Sequence, residues 1–168
     1  MSDNDSSTTG MLPRISRFLL KPWPEKKKSL YFRWISTFPH LPAPLRLPFG
    51  AWWLVRADNA GLPISQGRFE EAEIAFVGRY VKPGMTVLDI GAHHGLYTLL
   101  ASKRVGPNGR IFCFEPSTRE RNALLQHLRL NRCKNVTVES LAVGSENTDA
   151  QLFVVEGVQT GCNSLRKP

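Results

Sequence analysis

The chain has 168 residues, 42% hydrophobic and 21% charged, with a net charge of +8 and an isoelectric point near 9.8. That length suits one domain, and no stretch approaches the roughly 20 apolar residues that span a bilayer. Cys113, Cys133 and Cys162 are odd in number and lack C-x-x-C spacing, which excludes a disulfide framework and a cysteine zinc site.

The basic balance invites a nucleic-acid partner, but its distribution argues otherwise. Residues 1–50 contribute five of the eight net charges, so the excess lies mainly in the N-terminal segment. Solvated surface charge is the simpler reading, and no nucleic-acid partner is expected. The thiols point to a reducing compartment, and a cytoplasmic location is expected.

In chain order, residues 1–10 are small and polar, read as a disordered tail. They lack the basic start and apolar core of a signal peptide. Residues 11–60 form an N-terminal extension. Leu12, Ile15, Leu19 and then Leu30, Trp34, Phe38 recur at helical spacing among lysines and arginines, and prolines at 13, 22, 24, 39, 42, 44 and 48 cut the segment into pieces. A cap of short helices packed on the following domain is expected. A basic, aromatic element lying on an anionic membrane through residues 11–53 is the alternative. Ala51–Arg56 reads as an entry strand, with Asp58-Asn59-Ala60-Gly61 as its turn.

Phe69 to Val81 reads as a helix whose apolar stripe is Phe69, Ile74, Val77 and Tyr80 or Val81. Glu70, Glu71 and Glu73 fall in its first turn, where the helix dipole favours acids. Pro83-Gly84 then turns the chain into Val87-Leu88-Asp89-Ile90-Gly91, an apolar run that suits a strand buried on both faces of a parallel sheet. Gly91 permits a sharp turn, Gly95 a second close approach to a ligand, and the helix that follows presents free N–H groups to an anion. Its buried face is predicted as Leu96, Leu99, Leu100 and Val105.

A second strand, Arg110–Glu115, also ends in an acid, twenty residues after Gly95. Pro116-Ser117 with Glu120 reads as a capping box for a helix through Leu124, Leu125, Leu128 and Leu130, with Arg119, Arg121 and Arg129 toward water. Asn135–Glu139 and Gln151–Val155 are two more expected strands. The alternation of strands and helices calls for a parallel α/β sheet.

The spacing selects a cofactor. Gly91-x-x-x-Gly95 lacks the third glycine of a dinucleotide fingerprint, and Asp89 would repel a pyrophosphate. A carboxylate there suits the ammonium of S-adenosylmethionine (SAM), while Glu115 stands where an acid takes both ribose hydroxyls of an adenosine. The pair fits SAM better than NAD. His93-His94 reads as pocket lining or a filler at the helix start rather than a metal site, and no metal is expected.

Val81-Lys82-Pro83-Gly84 through Gly91-Ala92, Gly95-Leu96-Tyr97-Thr98, Phe114-Glu115-Pro116, Leu130-Asn131, Ala142-Val143-Gly144 and Gly161-Cys162-Asn163 together resemble the FkbM-type SAM-dependent methyltransferases, of class I and Rossmann-like fold. The likeness covers residues 61–168. It implies a domain of which only the N-terminal part is visible, since the family's later Ile-Asp-x-Glu-Gly-type strand has no counterpart. It also implies cofactor-binding roles for Asp89, Gly91, Ala92, Gly95, Tyr97, Thr98 and Glu115, and a place near the cofactor or acceptor for Glu70.

The expected activity is methyl transfer from SAM to a hydroxyl of a small molecule or glycan, with no catalytic residue assigned. Alternatives are a nucleotide-dependent oxidoreductase on a similar sheet and a non-catalytic binding module. The Val87 strand, paired on one side only, is expected to leave an apolar edge.

Overall fold

The computed structural model describes residues 23–157 and 159–166. The expectations for residues 1–22 lie outside these. Helix α1 spans Trp23–Thr37, with Pro24 near its start, where a missing N–H removes no helical bond. Strands β1 (Ala43–Arg46) and β2 (Trp52–Val55) form an antiparallel hairpin, Ala43 opposite Val55 and Arg46 opposite Trp52. Among the described residues the extension is therefore a helix and a hairpin rather than a run of short helices. The prolines hid β1, yet Pro44 is tolerated in a strand with only one neighbour. The inward alternation is Ala43, Leu45, Trp53 and Val55. In α1 it is Tyr31 and Ile35 that pack on the core, whereas Leu30, Trp34 and Phe38 are exposed.

Short helix α2 (Gly61–Gln66) leads to α3 (Glu71–Tyr80). The main sheet follows as β3 (Thr86–Ile90), α4 (Leu96–Val105), β4 (Arg110–Phe114), α5 (Thr118–Leu130) and β5 (Val136–Glu139). Its order is β3-β4-β5, all parallel, with Asp89 beside Cys113 and Phe114 beside Glu139. This is a parallel β-α-β-α-β unit, as the alternation predicted.

One cluster of buried residues joins Leu45, Trp53 and Val55 of the hairpin to Leu96, Leu99, Leu124 and Leu128 of α4 and α5. The predicted face of α4 is buried in full. Strand β3 departs from expectation. Val87 packs against the helices, but Leu88 and Ile90 are 62% and 59% exposed, so the strand is covered on one face among the described residues. Its outer edge has no partner strand among them, as expected. Gln151–Val155 is no strand: it makes a single antiparallel bridge, Phe153 with Ser164. No helix among the described residues is long and apolar enough to cross a membrane.

Candidate cofactor cradle

The turn after β3 is closed by the backbone. The N–H groups of Gly91 and Ala92 both donate to the Phe114 carbonyl (3.0 Å), and that of Gly95 donates to the Ala92 carbonyl (2.7 Å). Gly91 has φ 77°, with open space where a Cβ would stand, as a turn facing a ligand requires. Gly95 differs from its predicted role. At φ 87° its missing Cβ would lie 2.3 Å from Leu124 Cδ1, so the glycine lets α5 pack against the start of α4 rather than admitting a ligand.

Glu115 is 6% exposed, at the C-terminal end of β4. One carboxylate oxygen accepts the His93 N–H (2.8 Å) and the other the Ser117 N–H (2.9 Å), so the acid is fixed before any ligand arrives. The expected capping box is rearranged accordingly. Glu115 takes the N–H of Ser117, and the Ser117 hydroxyl donates to buried Glu120, whose other oxygen accepts from Arg119 Nε. Arg121, expected in water, instead donates to the Glu115 and Pro116 carbonyls (2.8 Å each).

Asp89 accepts both the hydroxyl and the backbone N–H of Thr98, tying β3 to the first turn of α4. Burial pushes its carboxyl above the usual range, against the pull of the Thr98 bonds. The free helix start predicted for an anion is thus partly taken up. Tyr97 donates to Glu70 (2.5 Å), and burial, followed by that acid, raises its phenol. Glu70 sits just ahead of α3 at φ 46°. The predicted residues therefore fall in two groups about the Gly91–Gly95 turn: Asp89 with Thr98 and Tyr97 with Glu70 on one side, Glu115 with Gly91 and Ala92 on the other.

A cavity of about 280 Å³ opens beside the second group, lined by Gly91, His93, Glu115, Leu141, Val143 and Thr160 among others. This is near the lower end of small-molecule sites, about 300–1,000 Å³. The two histidines separate. His93 lines the cavity and pairs through Nε2 with Thr160 Oγ1 (3.0 Å), which in turn donates to Asn59 Oδ1. His94 is buried, 3.6 Å from Asp58, and burial above all lowers its pKa to about 2, so it is neutral.

His93, His94 and Glu120 bring ligand-type atoms within 4.8 Å of one another. The imidazoles, however, are stacked, with centroids 3.9 Å apart and planes at 19°. A metal lies in the plane of each ring that binds it, and near-parallel stacked rings cannot both aim at one ion. Glu120 already serves Ser117 and Arg119.

Sequence reasoning missed His127. Fully buried, it donates from Nδ1 to the His94 carbonyl (2.7 Å), accepts the Leu54 N–H at Nε2 (3.0 Å) and stacks on Trp53 (3.9 Å between centroids). It clasps the hairpin to the cradle turn. An isolated histidine on a helix gives no sequence signal of such partners.

The parallel sheet with its glycine turn is the Rossmann-like fold of class I methyltransferases. No family model matches the chain. It is similar to ribosomal RNA large subunit methyltransferase E of Alkalilimnicola ehrlichii, 36% identical over 63 residues, 38% of this chain and 30% of that protein. It is also similar to the enzyme of the same name from Buchnera aphidicola, 26% identical over 106 residues, 62% of this chain and 52% of that protein. The chain thus spans 30% of the length of one of these curated relatives and 52% of the other. Among solved structures, a SAM-dependent methyltransferase of Agrobacterium tumefaciens overlaps 60% of this chain and 32% of its own, with 14% identity and a TM-score of 0.47. A SAM-dependent O-methyltransferase of Thermotoga maritima overlaps 48% and 31%, with 22% identity and a TM-score of 0.42.

The relatives support the methyltransferase class and not the FkbM-type resemblance in particular. Their names specify ribosomal RNA, which overturns the expectation that no nucleic acid is involved. That expectation rested on where the charge falls along the chain, not on its sum, which invited a nucleic-acid partner.

Proposed function

We propose that the chain is the cofactor-binding unit of a SAM-dependent methyltransferase acting on a hydroxyl of RNA. One observation carries the reading: two acids, Asp89 and Glu115, end adjacent parallel strands on either side of a glycine turn at φ 77°. Glu115 uses one acceptor site per oxygen on backbone N–H groups, and a carboxylate has about four, so sites remain for ribose hydroxyls. The nucleoside half of SAM belongs in the cavity beside Glu115 and Val143. The ammonium belongs near Asp89, where a cation offsets the burial of the acid. Ala92, Gly95 and Thr98 shape the turn, and the Tyr97–Glu70 pair borders the methionine side.

SAM supplies an already electrophilic methyl group. The chain's task is to hold and align it, worth more here than acid–base chemistry. The FkbM-type resemblance supports oxygen as the accepting atom, and the 2′-hydroxyl is the one RNA presents along its whole length. A cytoplasmic location agrees with such an acceptor and with the free thiols.

Calorimetry with SAM and NAD tests the cofactor, and radiolabelled methyl transfer to ribosomal RNA or to small alcohols tests the acceptor. Tight NAD binding without SAM binding would falsify the reading. Glu115→Gln removes the charge at the ribose position and is expected to weaken SAM binding by about 10- to 150-fold, the loss of a charged hydrogen bond. Melting curves of the same variant separate this from damage to the turn, and unchanged affinity removes Glu115 from the site.

A further inference from the structure

At the opposite ends of the strands from the cradle lies a larger cleft of about 780 Å³. It is bounded by the end of α4, the starts of β4 and β5, and the turn after α5. Its lining contains four cations, Lys103, Arg110, Arg132 and Lys134, and no acid. All four are exposed, and none makes a side-chain hydrogen bond or ion pair among the described residues. Lys103 is accounted for by the dipole of α4, whose last turn it occupies. The other three sit outside helices and need another explanation.

Arg132 supplies an independent one. It stands just past the end of α5 at φ 52°, in the left-handed conformation that glycine or asparagine takes at a helix end. The turn is closed by Arg132 N–H to the Arg129 carbonyl (3.1 Å) and Cys133 N–H to the Leu128 carbonyl (3.0 Å), neither of which needs a side chain. An arginine held at a strained position, lining the same cleft as two further unpaired cations, is an outlier of the kind that marks function.

We infer that this cleft anchors the RNA backbone, its cations neutralising phosphates at a distance from the reacting nucleotide. The identity of the polyanion rests on the proposed RNA acceptor; the cleft itself does not. Half-buried Phe112 on its floor offers one ring for a base to stack on. The strands place the cleft about 17 Å from the cradle, at roughly 3.3 Å per residue. An anchored strand must therefore pass around the sheet to reach the cofactor. Contacts of this kind fix position and carry no sequence preference.

The test is fluorescence anisotropy of a labelled, mixed-sequence single-stranded RNA over a salt series, beside SAM calorimetry. Four phosphates neutralised on a single strand give a log–log salt slope of about −2.8. The triple variant Arg110→Gln, Arg132→Gly, Lys134→Gln is expected to flatten that slope by about 2 and leave SAM affinity unchanged. Arg132→Gly alone is expected to raise the melting temperature, by relieving the left-handed strain, while weakening RNA binding. Opposite movements of stability and binding cannot come from unfolding. If the triple variant keeps the wild-type slope and affinity, the cleft is not the anchor, although the RNA reading stands. If the wild type binds SAM but no RNA, or binds anionic vesicles instead, the acceptor reading fails and the anchor with it.

Discussion

Gly95→Ala is expected to destabilise the protein by about 2–5 kcal/mol. Overpacking contributes about 1–3 kcal/mol and the left-handed backbone about 1–2, since the new Cβ would meet Leu124 Cδ1 at 2.3 Å with φ at 87°. Leu124 is wholly buried and cannot swing aside. In a Leu124→Ala background the clash disappears, so a double-mutant cycle should show coupling of about 1–3 kcal/mol. Gly91→Ala provides the control. Its φ is 77°, but a Cβ there meets nothing within 4 Å, so only the backbone strain applies. Denaturant titration of the four variants decides: equal losses at the two glycines would refute the packing role of Gly95.

His127→Ala is the second large effect, at about 3–5 kcal/mol. It strands the Leu54 N–H and the His94 carbonyl without their buried partner, removes the Trp53 stack and leaves a cavity. The same residue sets an acid limit. Burial is the main cause that lowers its pKa from 6.5 to about 4, so the folded state holds it neutral. The unfolded chain binds the proton first. Stability is therefore complete above about pH 6.5 and falls as the pH drops toward 4, by about 3 kcal/mol from this residue. His94, shifted the same way, extends the loss to lower pH. The alanine variant should lose its part of the acid slope between pH 6.5 and 4. If wild type and variant show parallel pH profiles, His127 is not the group responsible.

The parallel unit was legible because each of its signals is local. Val87 to Gly91 and Arg110 to Glu115 are short apolar runs ending in acids, and the stripe of α4 repeats every three or four residues. The roles of Gly95 and His127 were not legible, because each depends on a partner far along the chain: Leu124 for one, Leu54 and His94 for the other. Strand β1 was hidden by Pro44, which argues against a strand unless one knows that it lies at an edge. The expectation that no nucleic acid is involved rested on the same local reading. Charge was weighed by position along the chain, whereas Lys103, Arg110, Arg132 and Lys134 gather from separate elements only once the chain folds.

The outward side of β2 is closed by side chains instead of a strand. Asn131 accepts the Trp52 N–H and donates to the Trp52 carbonyl, both at 2.7 Å, and His127 accepts the Leu54 N–H. These partners lie 79 and 73 residues downstream. A hairpin finished by such distant residues cannot settle while the chain is short, because the loop must close before the contacts reward it. During synthesis Trp52 and Leu54 leave the ribosome several seconds before α5, at about 5–20 residues per second. Until α5 arrives, the hairpin carries a free edge beside its tryptophans. The hairpin is made before α5 and completed only by it.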